Sequence, residues 1–308
     1  MRKNFWVITT HFNFAKFQAL LDNYFIFANR LKAQNINLLT VELAFGDDSY
    51  EIPESENVVR LRSKSVMWQK ERMINYGVSV LPSSCDNFAW VDGDIMFLQS
   101  DWIDMATKEL KYNHIVQLFK RVKYMPKGIK DLSGRINPTT TLQGVIWQYR
   151  THKNWLARRK TGELSFSSPG FAWAAQRSFF ENLPGNIYDR NIIGSGDTFL
   201  VDCYLDSFDI HGYANKFNPY MKNDMMDYNR RLNILCPKVS YIPTDIYHLY
   251  HGQLRNRKYM ERHDIILNHG YDPRTDIKLI NNVYEWSSNK VGMHNDIKQY
   301  FLDRKEDE

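Results

Sequence analysis

The chain has 308 residues, enough for one large domain or two modest ones, and 43% of them are hydrophobic, which suffices for a core. The formal net charge is +5, and no apolar run approaches the ~20 residues that a membrane-spanning helix needs. The three cysteines, Cys85, Cys203 and Cys236, lack the spacing of a disulfide framework or a metal site, so we expect buried thiols and a reducing, cytoplasmic location.

The first third of the chain alternates between strand and helix patterns. His11 and Asn13 interrupt the apolar run at the N-terminus, which therefore predicts a first strand rather than a signal peptide. Apolar and β-branched runs predict strands at 5–12, 36–45, 58–62 and 87–97. Helical spacing predicts helices at 16–34 and at 65–82, the second with Ser65 as its N-cap. This alternation predicts an α/β fold with a mostly parallel central sheet flanked by helices.

The pattern weakens after residue 98. Further helices are predicted at 101–111, 142–160 and 194–207, and further strand character at 114–122 and from 170. The tail from residue 253 is polar and aromatic, and its last six residues, "DRKEDE", predict a frayed acidic terminus. We expect one domain over 1–252, with halves 1–98 and 99–252, and a C-terminal extension over 253–308.

The stretch "WVDGDIMF" places two carboxylates, Asp92 and Asp94, at the end of an apolar strand. Side chains at i and i+2 of an extended segment point the same way, so both face one ligand. Adjacent carboxylates repel unless they are protonated or share a cation, and their hard oxygen atoms suit Mg²⁺ or Mn²⁺ together with substrate phosphates. The alternative is an exposed, inert turn rich in Asp and Gly.

Downstream, "DIYHLYHG" carries His248 and His251 three residues apart. Imidazole suits Mn²⁺ or Zn²⁺ beside carboxylates, so we expect at least one of the two to meet the same metal as Asp94. The following "QLRNRKYMERH" adds Arg255 and Arg257, whose guanidinium groups suit phosphate oxygens. A solvated basic surface explains the arginines equally well.

Between these motifs, the two glycines of "IIGSGDTFL" deliver Asp197 to the start of a helix. The helix N-terminus favours an ionised carboxylate, which can act as a general base toward a hydroxyl group. An aspartate at this position is also a common N-cap, and the sequence leaves both roles open.

Taken together, these motifs resemble GT-A fold glycosyltransferases. "DGD" matches their D-x-D motif, and the segment from "SPGFAWAAQ" to "GSGD" resembles the acceptor side of the β-1,4-galactosyltransferase-like group. "HLYH" has the spacing of that group's M-x-x-H turn, with His248 in place of the methionine. The sequence is also similar, over residues 5–276, to a poorly characterised set of bacterial and phage glycosyltransferases that share "VELAF" and "VMWQKERMIN".

The resemblance implies a Rossmann-like GT-A fold, a UDP-sugar donor and a Mn²⁺ or Mg²⁺ ion. It implies that Asp94, His251 and His248 bind the metal and that Asp92 contacts the ribose or the same metal. Asp197 then matches the family's general base, with inversion at the anomeric carbon. Here the turn reads "GSGD", so Ser195 and Gly196 stand where the group has glycines or an acid, and only Asp197 matches its terminal aspartate.

Five further residues are expected at the donor. Thr9 and Thr10 end the first strand and Glu42 ends the second, where a nucleotide would lie. Trp68 and Lys70 precede the D-x-D strand and would brace the donor. In this scheme residues 1–98 bind the nucleotide sugar, residues 99–252 form the acceptor side, and the extension, through Arg255 and Arg257, closes over the site.

The acceptor is indicated by charge. Residues 120–160 hold eleven Lys and Arg, among them Arg135, against the single acid Asp131, a balance of +10. Tyr124, Trp147, Tyr149 and Trp155 are interleaved with them, a pattern that suits nucleic acid. Some phages glycosylate hydroxymethylated cytosine in their own DNA, so our expectation is 5-hydroxymethylcytosine in phage DNA, flipped out toward the base.

Other functions stay open at this stage. The acceptor can instead be a saccharide of lipopolysaccharide or capsule. The chain can also be a catalytically silent protein that binds nucleic acid or nucleotide sugars. A metal-dependent nucleotidyltransferase or nuclease would use paired aspartates too, but such enzymes need further acids around two metals, and the sequence has no such cluster.

Overall fold

The computed structural model describes residues 4–134, 136–164, 167–183, 185–207 and 217–308. In these ranges the strands are β1 Phe5–Phe12, β2 Asn37–Phe45, β3 Val58–Ser63, β4 Asn87–Val91, β5 Ile95–Phe97, β6 Ile115–Gln117, β7 Arg121–Tyr124, β8 Thr140–Gly144, β9 Ser167–Ser168, β10 Ala172–Gln176, β11 Val239–Tyr241, β12 Asp245–His248, β13 Ile277–Ile280 and β14 Val283–Trp286. The α-helices are α1 Gln18–Ala33, α2 Lys70–Ser79, α3 Trp102–Glu109, α4 Val145–Thr151, α5 Trp155–Lys160, α6 Arg177–Glu181, α7 Gly196–Tyr204, α8 Pro219–Asn233, α9 Arg262–Asn268 and α10 Val291–Asp303, and Leu254–Arg257 forms a 3-10 helix.

The central sheet has the strand order β11-β6-β10-β4-β1-β2-β3. Neighbouring strands are parallel except where β10 pairs with β4 and β6. Helices cover it, and two large buried clusters of hydrophobic residues lie against it. The predicted α/β fold with a mostly parallel sheet flanked by helices is thereby confirmed.

A second sheet, in the order β5-β12-β7-β8-β9, brings the two candidate metal motifs together. β5 follows "DGD" directly and pairs antiparallel with β12, with Ile95 opposite His248. The backbone N–H of Leu249 continues this pairing by donating to the carbonyl of Asp94 at 2.8 Å. The ladder thus fixes the histidines beside the second aspartate.

Three expectations about local structure need correction. Helix α2 begins at Lys70, not near residue 65, and the Ser65 hydroxyl accepts from the backbone N–H of Trp286 at 2.9 Å instead of capping it. The predicted strand at 114–122 is split into β6 and β7, because its residues belong to two different sheets. Cys85 and Cys203 are buried as expected, but Cys236 is exposed.

The acidic tail is not frayed. Asp307 accepts hydrogen bonds from the backbone N–H groups of Gln18 and Ala19, at 3.1 and 2.7 Å, and so satisfies the open end of α1. The side chain of Glu306 is 1% exposed and is paired with cations. The prediction failed because these acids have fixed partners far away in the sequence.

Within the described ranges, no helix is long and apolar enough to span a membrane.

Candidate functional site

The candidate site lies at the carboxyl ends of the parallel strands β1 and β4. The chain leaves β4 at Val91, and Asp92, Gly93 and Asp94 form the turn into β5. Because β1 and β4 are adjacent and parallel, residues after their ends share one edge of the sheet. That edge opens into a cleft.

Asp94, His248 and His251 form a compact group at the base of this cleft. The Asp94 Oδ2 atom lies 2.8 Å from His251 Nε2 and 3.6 Å from His248 Nε2, and the two Nε2 atoms are 3.1 Å apart. Ligand atoms of all three residues lie within 4.8 Å of one another. Both imidazoles are buried, at 3% and 4% exposure.

The electrostatics of this group favour an anionic carboxylate beside a neutral imidazole. Burial opposes ionisation of Asp94, but His248, His251 and Arg257 outweigh it and hold its pKa well below the usual range. Burial lowers the pKa of His248 to about 3, so this ring is neutral near pH 7. Burial and Arg257 oppose protonation of His251, yet Glu306 and Asp94 together raise its pKa.

The donor set fits a divalent cation. One carboxylate and two imidazoles are ligands that Mn²⁺ and Zn²⁺ accept, and the second oxygen of Asp94, Oδ1, is buried with no hydrogen-bond partner among the described residues. Arg257 also approaches this group, with its Nη2 atom 2.8 Å from His251 Nε2. Since a nitrogen that binds a metal cannot also face a guanidinium donor, metal binding requires Arg257 to turn away.

Asp92 takes a different partner. Its carboxylate forms an ion pair with the ammonium group of Lys70 at the start of α2. Burial lowers the pKa of Lys70, but the carboxylates of Asp92, Asp197 and Glu71 outweigh it and raise the pKa, which keeps the ammonium charged. Burial raises the pKa of Asp92 against the effect of Lys70. The D-x-D pair is therefore divided between a cation-binding group and a lysine.

Lys70 also borders a second, smaller cavity that contains Asp197 and Glu71. The N-cap of α7 is Ser195, so Asp197 lies in the first turn of the helix and does not cap it. Its Oδ1 atom accepts from the N–H of Thr198 at 2.8 Å. Glu71 accepts from Trp68 Nε1 at 3.1 Å, and burial raises the pKa of Glu71 to about 7.

Most of the predicted residues converge on these two cavities. The main cleft is lined by Thr10, Trp68, Lys70, Asp92, Asp94, His248, His251 and Arg257. Trp68 packs edge-on against Phe12, with ring centroids 5.0 Å apart. Asp197 lies in the second cavity, which shares Lys70 with the cleft.

Three predicted donor residues lie elsewhere. Thr9 is buried beneath the turn, where a Cβ on Gly93 would be 3.5 Å from its hydroxyl oxygen. The Glu42 carboxylate accepts from the backbone N–H groups of Glu51 and Ile52 and does not line the cleft. Arg255 is exposed on the 3-10 helix, while Arg257 points inward.

Several cleft residues were not predicted as site residues. His11 and Asn13 line the cleft, and the Glu51 carboxylate binds both, at 2.7 Å to His11 Nε2 and 3.1 Å to Asn13 Nδ2. The sequence could have indicated His11 and Asn13 as site residues, because these two polar residues interrupt an apolar strand. Arg304 and Glu306 also line the cleft, and no local pattern in the tail sequence predicts that they do.

Comparison with solved structures finds distant similarities only. The chain is similar to the catalytic domain of Drosophila β1,4-galactosyltransferase 7 in complex with xylobiose, with a TM-score of 0.36 and 12% identity over 92% of each chain. A mutant of that enzyme in complex with manganese, UDP-Gal and xylobiose gives 0.34 and 12%, over 77% of this chain and 64% of that chain. Glucosyl-3-phosphoglycerate synthase from Mycobacterium tuberculosis in complex with UDP gives 0.38 and 12%, over 86% and 77%. No protein-family profile and no curated protein sequence matches the chain.

Proposed function

We propose that this protein is a metal-dependent glycosyltransferase of the GT-A type, which moves a sugar from a nucleoside diphosphate, UDP in our proposal, to a hydroxyl group. The observation that carries the proposal is the group of Asp94, His248 and His251 at the carboxyl edge of the parallel sheet. It faces a cleft lined by cationic side chains, and the neighbouring smaller cavity contains Asp197. A diphosphate leaving group needs this combination of charges.

In this proposal Asp94, His248 and His251 hold the metal, with Mn²⁺ favoured over Mg²⁺ because two of the three ligands are nitrogen atoms. The bound ion supplies Lewis-acid stabilisation of the charge that develops on the leaving diphosphate. Arg257 and Arg304 line the same cleft and add positive charge toward the phosphate oxygens. Thr10, His11 and Asn13 border the region left for the nucleoside.

Asp197 is the proposed general base. It takes the proton of the acceptor hydroxyl while the hydroxyl oxygen attacks the anomeric carbon and the bond to the diphosphate breaks. Lys70 pairs with Asp92 on the donor side and lies near Asp197 on the acceptor side, so its positive charge offsets the repulsion between the two carboxylates. A direct displacement of this kind inverts the anomeric configuration, so a retained configuration in the product would exclude Asp197 as the base.

The acceptor is proposed only as a hydroxyl compound, with hydroxymethylcytosine DNA and bacterial surface saccharides as the two classes to test. The basic segment 120–160 is partly neutralised by acids from other parts of the chain: Asp245 pairs with Arg121 and Lys123, and Asp22 pairs with Lys130. Arg135 lies outside the described residues. This pairing lessens the free charge on which the expectation of a DNA partner rested.

Hydrolysis of UDP-sugars tests the enzyme against a silent binding protein, since water can replace the acceptor. Purified protein with Mn²⁺ and a panel of UDP-hexoses should release UDP, and Asp94→Ala should abolish that release. Asp47→Ala, which changes an exposed carboxylate outside the cleft, is the matched control. Binding of UDP-sugars without any release of UDP would support the silent protein instead.

Mass spectrometry of candidate acceptors separates the two acceptor classes. A hydroxymethylcytosine oligonucleotide and bacterial saccharide fragments are incubated with the donor that is hydrolysed fastest. Replacement of the exposed residues Arg150, Lys153 and Lys160 by glutamine should reduce transfer to DNA and its salt dependence if the basic segment contacts phosphates. Transfer to a saccharide alone would exclude the DNA acceptor.

A further inference from the structure

Glu306 reaches the candidate metal group from the far end of the chain. Its side chain is 1% exposed, and its carboxylate contacts the Nδ1 atom of His251. The opposite nitrogen of the same ring, Nε2, faces Asp94. A buried carboxylate therefore lies behind the imidazole, on the side away from the other ligand atoms.

We propose that Glu306 is the positioning residue of the metal site, an inference that rests on the proposed role of His251 as a metal ligand. The carboxylate accepts the Nδ1–H proton of His251, which fixes the tautomer with its lone pair on Nε2. The same hydrogen bond sets the ring orientation and makes Nε2 a stronger donor to a cation. In this role Glu306 acts through His251 and does not itself bind the metal.

The position of Glu306 is fixed by the residues around it. The guanidinium group of Arg304 forms an ion pair with the second carboxylate oxygen and lies over the Trp68 ring, 5.5 Å from its centroid. Asp307, the next residue of the tail, is bound through its carboxylate to the N-terminus of α1. Glu306 is thus held at the cleft by Arg304, two residues before it, and by Asp307, the residue after it.

The backbone beside His251 is shaped to receive this carboxylate. Gly252 has a φ of +78°, a conformation that glycine adopts readily, and a Cβ there would stand 2.9 Å from the Cα atom of Glu306. The turn after His251 and the tail therefore fit closely only with glycine at this position.

Mn²⁺ binding to the full-length protein without donor tests the proposal, measured by the electron paramagnetic resonance signal of free Mn²⁺. We expect Glu306→Gln to weaken Mn²⁺ binding roughly tenfold and Glu306→Ala roughly tenfold to a hundredfold, because the second loses the hydrogen-bond acceptor as well as the charge. Asp303→Asn is the matched control, since it removes a tail ion pair with Lys258 outside the cleft and should leave Mn²⁺ affinity unchanged.

A purely structural role would give a different result. Glu306→Gln and Glu306→Ala proteins that stay folded and bind Mn²⁺ within twofold of the wild type would overturn the proposal. If Glu306→Ala does not fold, Glu306→Gln alone decides. Nitrogen-15 spectra of the His251 ring, recorded without metal at a pH at which the ring is neutral, supply a second test, because the Nδ1–H tautomer should then dominate in the wild type and lose that dominance in Glu306→Ala.

Failure of the glycosyltransferase proposal is distinguishable from failure of this one. If the wild type turns over no UDP-sugar while the Glu306 variants still bind Mn²⁺ more weakly than the wild type, that result contradicts the proposed reaction and supports the role of Glu306. If Asp94→Ala leaves the Mn²⁺ affinity unchanged, the proposed metal site is wrong, and the proposed role of Glu306 is wrong as well.

Discussion

Gly196 packs directly against the carboxylate of Glu71, which belongs to a different helix. A Cβ atom at position 196 would approach the Glu71 carboxylate more closely than van der Waals contact allows. The glycine thus leaves room for a carboxylate supplied by α2. Glu71 and Asp197 consequently share the smaller cavity.

Gly196→Ala should therefore destabilise the protein although it lies at a helix start with ordinary backbone angles. Overpacking of this kind costs about 1–3 kcal/mol of unfolding free energy, measurable by urea denaturation. Thr198→Ala, two residues along the same helix, is the control and should change the unfolding free energy by less than about 1 kcal/mol. In a Glu71→Ala background the cost of Gly196→Ala should shrink, and an equal cost in both backgrounds would contradict the packing argument.

The raised pKa of Glu71 makes a contribution to stability that depends on pH. Burial raises this pKa from 4.5 to about 7, so the folded protein holds the proton more tightly than the unfolded chain. The resulting stabilisation is present below about pH 4.5 and is lost as the pH rises through about 7. The charged groups that face Glu71 are Lys70 on its own helix and Asp197 on α7.

Between pH 5 and pH 8, the unfolding free energy of the wild type should fall by roughly 2–3 kcal/mol more than that of Glu71→Gln. The difference between the two proteins is the relevant quantity, because burial raises the pKa of Asp202 to about 7 as well, and that group contributes equally to both. Parallel stability curves for the two proteins would show that Glu71 is ionised in the folded state throughout this range.

We expect Lys70 to stabilise the folded protein in addition to lining the cleft. Its ammonium group is paired with Asp92 and lies near the carboxylates of Asp197 and Glu71. Lys70→Met would leave these buried acids without a cation and should lower the unfolding free energy by about 3 kcal/mol at pH 8. The loss should be smaller at pH 5, where carboxylates that lack a cation can take up protons.

Lys130→Met is the matched control for Lys70→Met. It removes an ion pair with Asp22 at the exposed surface, where the side chains are 54% and 37% exposed, and should cost no more than about 1 kcal/mol. Equal effects of the two substitutions would contradict the special position of Lys70.

The fold was predictable because its signals are local. Alternation of apolar strands with amphipathic helices specifies a parallel sheet, and the place of Asp92 and Asp94 after a strand specifies the edge at which they lie. The pairing of "DGD" with "HLYH" followed from chemical complementarity of carboxylate and imidazole. The structure then supplied its physical cause, the antiparallel ladder between β5 and β12.

What the sequence could not reveal depends on long-range paths of the chain. Glu306 lies in a run of charges typical of a solvated terminus, and only the course of the tail brings it to His251. Glu42 shows the opposite case, since a carboxylate at a strand end suggested a ligand contact. Its partners are instead two backbone N–H groups of the following loop, which no side-chain pattern indicates.

Arg257 is expected to act in opposite directions on metal and donor binding. Its guanidinium Nη2 atom is 2.8 Å from His251 Nε2, and the residue is 8% exposed, so it holds a buried positive charge against the proposed ligand atoms. Arg257→Ala removes both the repulsion and the competing hydrogen bond, and should raise Mn²⁺ affinity several-fold in the absence of donor. With Mn²⁺ saturating, the same substitution should weaken UDP binding roughly tenfold to a hundredfold, because a charge-assisted hydrogen bond to phosphate is lost. Titration calorimetry with Mn²⁺ alone, and with UDP at saturating Mn²⁺, measures both effects on one protein.

Arg255→Ala is the matched control, because Arg255 lies on the same 3-10 helix but is exposed. It should leave both affinities within about twofold of the wild type. A drop in both affinities with Arg257→Ala would mean that the arginine supports the metal group rather than competing with the metal.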